Sequence, residues 1–160
     1  CVENEIRLGK LTAVSEEDLD AHMYFSILCA KKIIGNDIEL NVNRTVSGDG
    51  KPFVLLTGQN ENGIYISKIG NSNSVTPGLK IIGTEGTIKV PDDWWNIGYF
   101  ELDAEDQENT KRYSFNFEGN GLRYIFVSVL DRIKQNHFSD LRLTRQEATV
   151  AIEKVNRLKK

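Results

Sequence analysis

The hydrophobic period of the chain changes once, soon after residue 35, and this change limits the folds open to it. Residues 14–35 place Leu19, Met23, Ile27 and Ile34 at helical spacing, which predicts an amphipathic helix. From there onward, apolar and polar residues alternate in short runs such as DIELNVNRTV and FVLLTG, the period of half-buried strands. The pattern therefore predicts a helix followed by an antiparallel sheet.

Both ends of the predicted helix carry boundary signals. Ser15 and Asp18 have the spacing of a capping box, and Gly35 is a common stop after a last helical turn. The run MYFSILCA at residues 23–30 also suits a strand, and this alternative stays open at the level of sequence.

Polar turns such as SGDGKP, QNENG and EGNG divide the rest of the chain into about seven short strands. The run LRYIFVSVLDRI (122–133) is interpreted as the last of them. Thr144 and Glu147 then form a second capping box that opens an apolar stripe in residues 144–160. The predicted fold class is α+β: an N-terminal helix, an antiparallel meander or sandwich-like sheet, and a C-terminal amphipathic helix.

Composition and motifs exclude several functions. The net charge of -3 argues against broad nucleic-acid binding. The sequence contains no GxGxxG, GxxxxGK[ST], HExxH or GxSxG motif, so no catalytic residues and no cofactor are predicted. The two histidines, His22 and His137, lie far apart and the two cysteines form no CxxC pair, so no metal site is predicted.

The segment from residue 92 to residue 108 is acidic and contains no Lys or Arg. Glu101 and Asp103 are two apart on a predicted strand, so they share one face and form a geometrically possible carboxylate pair. A solvated acidic sheet edge is the simpler interpretation. Adjacent Trp94 and Trp95 follow Asp92 and Asp93; either one tryptophan is exposed for partner binding or one plugs the core and the other covers the sheet edge.

Cysteine stands at position 1 and is followed by the polar stretch VENE. At this position the chain resembles mature bacterial lipoproteins, whose first residue is a lipid-modified cysteine. The resemblance implies acylation of Cys1, a lipid tether and lead-in segment at 1–12, and a single globular domain at 13–160. It also implies an outer-membrane protein facing the periplasm, since Val2 replaces the aspartate that favours inner-membrane retention. Two alternatives stay open: an arbitrary cut of the chain, or a disulfide with Cys29.

These observations together predict a lipid-anchored periplasmic binding protein without catalytic activity, of the type of an immunity protein that inhibits an envelope-acting toxin. The predicted partners are the membrane, through the lipid, and a protein, with no nucleic acid. The candidate protein-binding residues are Asp92, Asp93, Trp94, Trp95, Glu101 and Asp103. Two alternatives are an envelope-assembly lipoprotein that docks on a membrane complex and a carboxylate-dependent cell-wall hydrolase.

Overall fold

A computed structural model describes residues 1–7, 16–46, 50–70, 77–91, 94, 97–105, 109–119, 122–136 and 144–158. Eight strands form one sheet in these ranges: β1 (Val2–Arg7), β2 (Glu39–Val46), β3 (Pro52–Asn60), β4 (Gly63–Gly70), β5 (Gly78–Ile82), β6 (Gly86–Pro91), β7 (Tyr99–Ala104) and β8 (Lys111–Ser114). The three helices are α1 (Glu16–Ile34), α2 (Leu122–Lys134) and α3 (Arg145–Arg157). The predicted α+β class is confirmed.

The sheet consists of two antiparallel meanders joined by one strand. Its order is β2-β3-β4-β1-β5-β6-β7-β8, so β2–β4 and β5–β8 are each built from consecutive antiparallel neighbours. β1 lies between the two meanders, parallel to β4 and antiparallel to β5. The first strand of the chain thus occupies the middle of the sheet.

This position of β1 differs from the sequence prediction, which assigns residues 1–12 to a tether. Val2 is buried in the core, and the backbone amide of Ile82 donates a hydrogen bond of 2.7 Å to the Cys1 carbonyl. The residues after Cys1 therefore belong to the sheet. The division of domains near residue 12 stays a prediction, because residues 8–15 lie outside the described ranges.

The core lies between α1 and the first half of the sheet. Met23 and Ile27 of α1 are fully buried against Leu56, Tyr65 and Ile69 of β3 and β4. The predicted helix is confirmed over Glu16–Ile34. It ends as expected at Gly35, whose φ of 101° suits a residue without a side chain. The proposed cap Ser15 lies outside the described residues.

A hydroxyl cluster fixes α1 on β4. The Tyr65 hydroxyl donates to the Ser26 carbonyl oxygen at 2.9 Å and is hydrogen-bonded to the Ser26 hydroxyl, which also lies 2.6 Å from the hydroxyl of Ser67. All three residues are fully buried. Because buried polar groups are costly unless paired, this cluster favours one register of the helix on the sheet.

The C-terminal helix α3 packs on α1 and confirms the second capping box. The Thr144 hydroxyl accepts from the Glu147 amide, and the Glu147 carboxylate accepts from the Thr144 amide. Ala151 and Val155 are buried. Lys32 of α1 forms a 2.7 Å ion pair with Glu147, so the cap of α3 is also a contact between the helices.

Residues 122–133, predicted as a strand, instead form most of α2. The run satisfies both periods, since Leu122, Tyr124 and Phe126 alternate while Leu122, Phe126 and Ile133 recur at helical spacing. Periodicity alone does not separate a strand from a helix in such a run. No residue of α2 is buried, and α2 contacts no other helix or strand among those described.

Candidate functional site

The face of the sheet opposite α1 carries a charged ladder across β6, β7 and β8, made of Lys89, Tyr99, Glu101, Asp103 and Arg112. Lys89 pairs with Asp103 at 2.6 Å, and Arg112 pairs with Glu101 at 2.7 Å. The guanidinium of Arg112 also lies 4.3 Å from the ring centre of Tyr99. The predicted sharing of one face by Glu101 and Asp103 is correct, and cations from the neighbouring strands pair with both carboxylates.

The pair with Lys89 favours the charged form of Asp103. Hydrogen bonds from Lys89 and from the Thr110 hydroxyl lower the pKa of Asp103, and the hydrogen bond to Asp103 raises the pKa of Lys89. The hydrogen bond to Glu101 raises the pKa of Arg112. A glycoside hydrolase needs one carboxylic acid that stays protonated. The lowered pKa of Asp103 is the opposite of this requirement, and the two ion pairs stabilise the sheet across its strands.

The tryptophan pair is only partly described. Trp94 is half-buried and packs against the core, which matches the interpretation in which one tryptophan plugs the core. Asp92, Asp93 and Trp95 lie outside the described residues, so their proposed role in partner binding stays a prediction. Trp94 lies on the side of the core, whereas Glu101 and Asp103 lie on the opposite face of the sheet.

Neither cysteine forms a disulfide: Cys1 and Cys29 are both free thiols. Burial raises the pKa of the Cys29 thiol to about 11, so this thiol stays protonated and unreactive. The disulfide alternative for Cys1 is therefore wrong. In the described part of the chain, no group of three or more His, Cys, Asp or Glu residues could hold a metal ion.

His22 lies on the first half of α1 and is half-buried. Its Nδ1 lies 2.7 Å from the backbone carbonyl oxygen of Asp18. A carbonyl oxygen only accepts, so Nδ1 carries the hydrogen, and in the neutral ring Nε2 carries the lone pair. The sequence assigns no catalytic role to His22 because no orienting partner is visible; the partner is a backbone group one helical turn away. His137 lies outside the described residues.

Two clefts flank the less covered half of the sheet. One, of about 740 Å³, lies on the α1 side of β5–β7 and is lined by Ile81, Ile88 and Leu102, with Glu85 and Glu105 at its border. The other, of about 730 Å³, follows the polar side of α2.

Among the described residues no helix combines the length and hydropathy needed to cross a membrane.

No protein-family model matches the sequence, and no curated protein is similar to it in sequence. Solved structures do share its fold. The chain is similar to KijD10, a 3-ketoreductase from Actinomadura kijaniata in complex with NADP and TDP-benzene, with a TM-score of 0.70 and 11% identity. It is equally similar to the dehydrogenase MviM from Clostridium difficile, with a TM-score of 0.71 and 14% identity. The matches cover 99% and 98% of this chain but 52% of each enzyme, so the chain spans about half of their length.

These matches correct the functional prediction. The sequence predicts a lipid-anchored, non-catalytic protein of the immunity type, with an envelope-assembly lipoprotein and a carboxylate-dependent cell-wall hydrolase as alternatives. The fold is instead one found in solved oxidoreductases, so the prediction of a non-catalytic lipoprotein is wrong. The signal used, a cysteine at position 1, is a single residue, whereas the fold involves almost the whole chain. The cellular location and the protein partner are untested.

Proposed function

We propose that this chain is the sheet domain of an NAD(P)-dependent oxidoreductase that acts on a carbonyl or hydroxyl group of a small molecule. The observation that supports the proposal is the fold similarity to two enzymes of this class over 98% or more of the chain. One of these enzymes is a 3-ketoreductase seen with NADP. The substrate class is therefore a ketone or the corresponding secondary alcohol.

The described residues do not fit a nicotinamide dinucleotide. Such cofactors are held at the crevice of a doubly wound parallel sheet, by a glycine-rich turn that leads into a helix. Among the described strands, only β1 and β4 pair in parallel, and the contacts of α1 with the sheet all lie on one face. The 160 residues also contain no GxGxxG motif. In an enzyme of this class the dinucleotide therefore belongs to the other half.

The role that remains for this chain is to bind the second substrate and to move a proton. Reduction of a ketone adds a hydride to carbon, and the carbonyl oxygen must take up a proton. Histidine is the side chain most often used for this transfer at neutral pH. With Nδ1–H held by the Asp18 carbonyl, Nε2 of His22 is the nitrogen left to accept the hydroxyl proton in oxidation. In reduction the imidazolium form donates that proton from Nε2 to the carbonyl oxygen and returns to the neutral ring.

The test uses the protein at its native length and follows the absorbance of reduced nicotinamide with a panel of keto-sugars, free and nucleotide-linked. We expect NADPH-dependent turnover, and a loss in kcat on the order of 100-fold for His22→Gln with a much smaller change in KM. Glu101→Gln, on the opposite face of the sheet, is the control and should stay within about twofold of the wild type.

The two parts of the proposal fail separately. A native-length protein that neither binds NADPH nor oxidises it with any carbonyl compound would overturn the assignment to this enzyme class. Turnover that survives His22→Gln with an unchanged pH profile would leave the class intact and remove His22 as the proton-transfer residue.

A further inference from the structure

Helix α2 presents an apolar stripe to solvent. The stripe consists of the residues that fall on one side of the helix at spacings of three and four, and each is between 41% and 64% exposed: Leu122, Ile125, Phe126, Val129, Leu130 and Ile133. Exposed aromatic side chains also lie in the segment next to α2. The other exposed large hydrophobic side chains of the described chain are scattered, such as Phe25, Ile64 and Ile152. Scattered apolar residues are ordinary on protein surfaces, but a contiguous patch indicates an interface.

Contacts at its N-terminal end hold α2 in place. Phe117 packs edge-on against Tyr124 with the ring centres 5.9 Å apart, and Phe115 stacks on Phe117 at the same distance. Glu118 forms an ion pair with Arg123 and its amide donates to the Tyr124 hydroxyl at 3.4 Å. These contacts involve the polar side of α2 and the segment after β8, and the side chains of the stripe stay exposed to solvent.

The size of the stripe fits a contact between domains. Six half-exposed side chains present an apolar area on the order of 500 Å², at the upper end of what the largest patch of a monomer shows. With the same area from the opposing surface, the interface reaches roughly 1,000 Å², within the range of interfaces between domains of one chain. A helix of 13 residues is also marginal in water without such cover.

We propose that the α2 stripe is the docking surface for the dinucleotide-binding half of the same enzyme; this rests on the proposed function. The enzymes that share the fold are about twice as long as this chain, and a doubly wound domain that holds the cofactor must meet the sheet domain for its substrate to react. Among the described helices and strands, α2 carries the most exposed large hydrophobic side chains.

The test places a photoreactive benzoylphenylalanine in place of Phe126 in the native-length protein and, as a matched control, in place of Phe25. Phe25 is 58% exposed on α1 and Phe126 is 64% exposed on α2, so the two positions differ in neighbourhood rather than accessibility. After irradiation, mass spectrometry identifies the joined peptides. We expect position 126, and not position 25, to join to the dinucleotide-binding half within one molecule.

A second variant measures the functional effect of docking. Phe126→Asp should lower kcat roughly 10- to 100-fold by displacing the two halves, while the affinity for NADPH changes by less than about twofold, because the dinucleotide site lies in the other half. The matched variant Phe25→Asp should keep kcat within about twofold of the wild type.

The outcomes separate this inference from the proposed function. A crosslink from position 126 to a second copy, or no crosslink at all, would overturn docking even in a protein that turns over NADPH. Unchanged turnover in Phe126→Asp would do the same. A native-length protein without NADPH binding or turnover would overturn the proposed function first, and the docking partner with it.

Discussion

The two halves of the sheet are built from the same antiparallel hairpins, yet they are covered to very different degrees. In β3 and β4 the residues that face α1 are 0–1% exposed, as for Val54, Leu56, Tyr65 and Ile69. In β5 and β6 the corresponding residues Leu79 and Val90 are 9% and 6% exposed. No residue of β7 is buried and all four residues of β8 are exposed.

This gradient shows where the fold is complete and where it needs another surface. A sheet must bury its apolar face against a further layer, and among the described strands α1 supplies that layer over β1, β3 and β4 alone. The half that ends at β8 and α2 keeps its apolar residues exposed. The covered half therefore supplies most of the buried core, and the less covered half has a face open to contact another surface.

The largest expected effect tests this contrast with two isoleucines on helices. Ile27→Ala empties a fully buried site on α1 and should lower the free energy of unfolding by about 2–5 kcal/mol. Ile133→Ala removes the same atoms from a side chain that is 54% exposed on α2 and should cost about 0.5 kcal/mol or less in the 160-residue chain.

Urea denaturation of both variants measures the contrast. Equal losses in the 160-residue chain would mean that α2 is already packed and would break the comparison. If the proposed docking half is present, a larger loss for Ile133→Ala in its presence than in the 160-residue chain would sharpen the comparison, because docking would then bury the α2 stripe.

A smaller effect is expected when one hydroxyl is removed from each half. Tyr65→Phe deletes a buried hydroxyl that bonds to the Ser26 carbonyl oxygen at 2.9 Å and should cost about 1–2 kcal/mol. Tyr113→Phe deletes a hydroxyl on the exposed strand β8, where Tyr113 is 42% exposed, and should change the stability very little. Thermal unfolding compares the pair, and a neutral Tyr65→Phe would show that the hydroxyl cluster does not fix α1 on β4.

The smallest effect is a pH dependence of the contact between α1 and α3. Hydrogen bonds from Lys32 and from the Thr144 amide lower the pKa of Glu147 to about 2, from an ordinary value of 4.5. As the pH falls, the Glu147 carboxylate therefore takes up a proton at a higher pH in the unfolded chain than in the folded one. The stabilisation is complete above about pH 4.5 and disappears as the pH approaches 2. The difference in melting temperature between the wild type and Glu147→Gln should shrink over this window; a constant difference would contradict it.

The sequence predicted the covered half better than the less covered one, for physical reasons. α1 and α3 carry caps and apolar stripes that are read from neighbouring residues. The boundaries near Gly35 and Thr144 follow from such local signals. β1 was missed because its partners Tyr65 and Ile81 lie far along the chain, and α2 was mistaken for a strand because its apolar residues fit two periods.

The candidate site shows the same division. That Glu101 and Asp103 share a face follows from the period of a strand. Their pairing with Arg112 and Lys89 depends on the register between strands. This register cannot be predicted from the pattern of residues along one strand. No catalytic role is predicted for His22, and its contact with the Asp18 backbone carbonyl has no signature in the sequence.

The central position of β1 has a consequence for the order of folding. The hairpins β2–β3–β4 and β5–β6–β7–β8 close through short turns, whereas β1 pairs with strands that are distant in the chain. Closing long loops costs entropy that local hairpins do not pay. We expect the two meanders to acquire protection from hydrogen exchange first and the amides of β1 last. Until β1 is in place, each meander has an open edge strand, so refolding at high concentration should favour aggregation through β4 and β5.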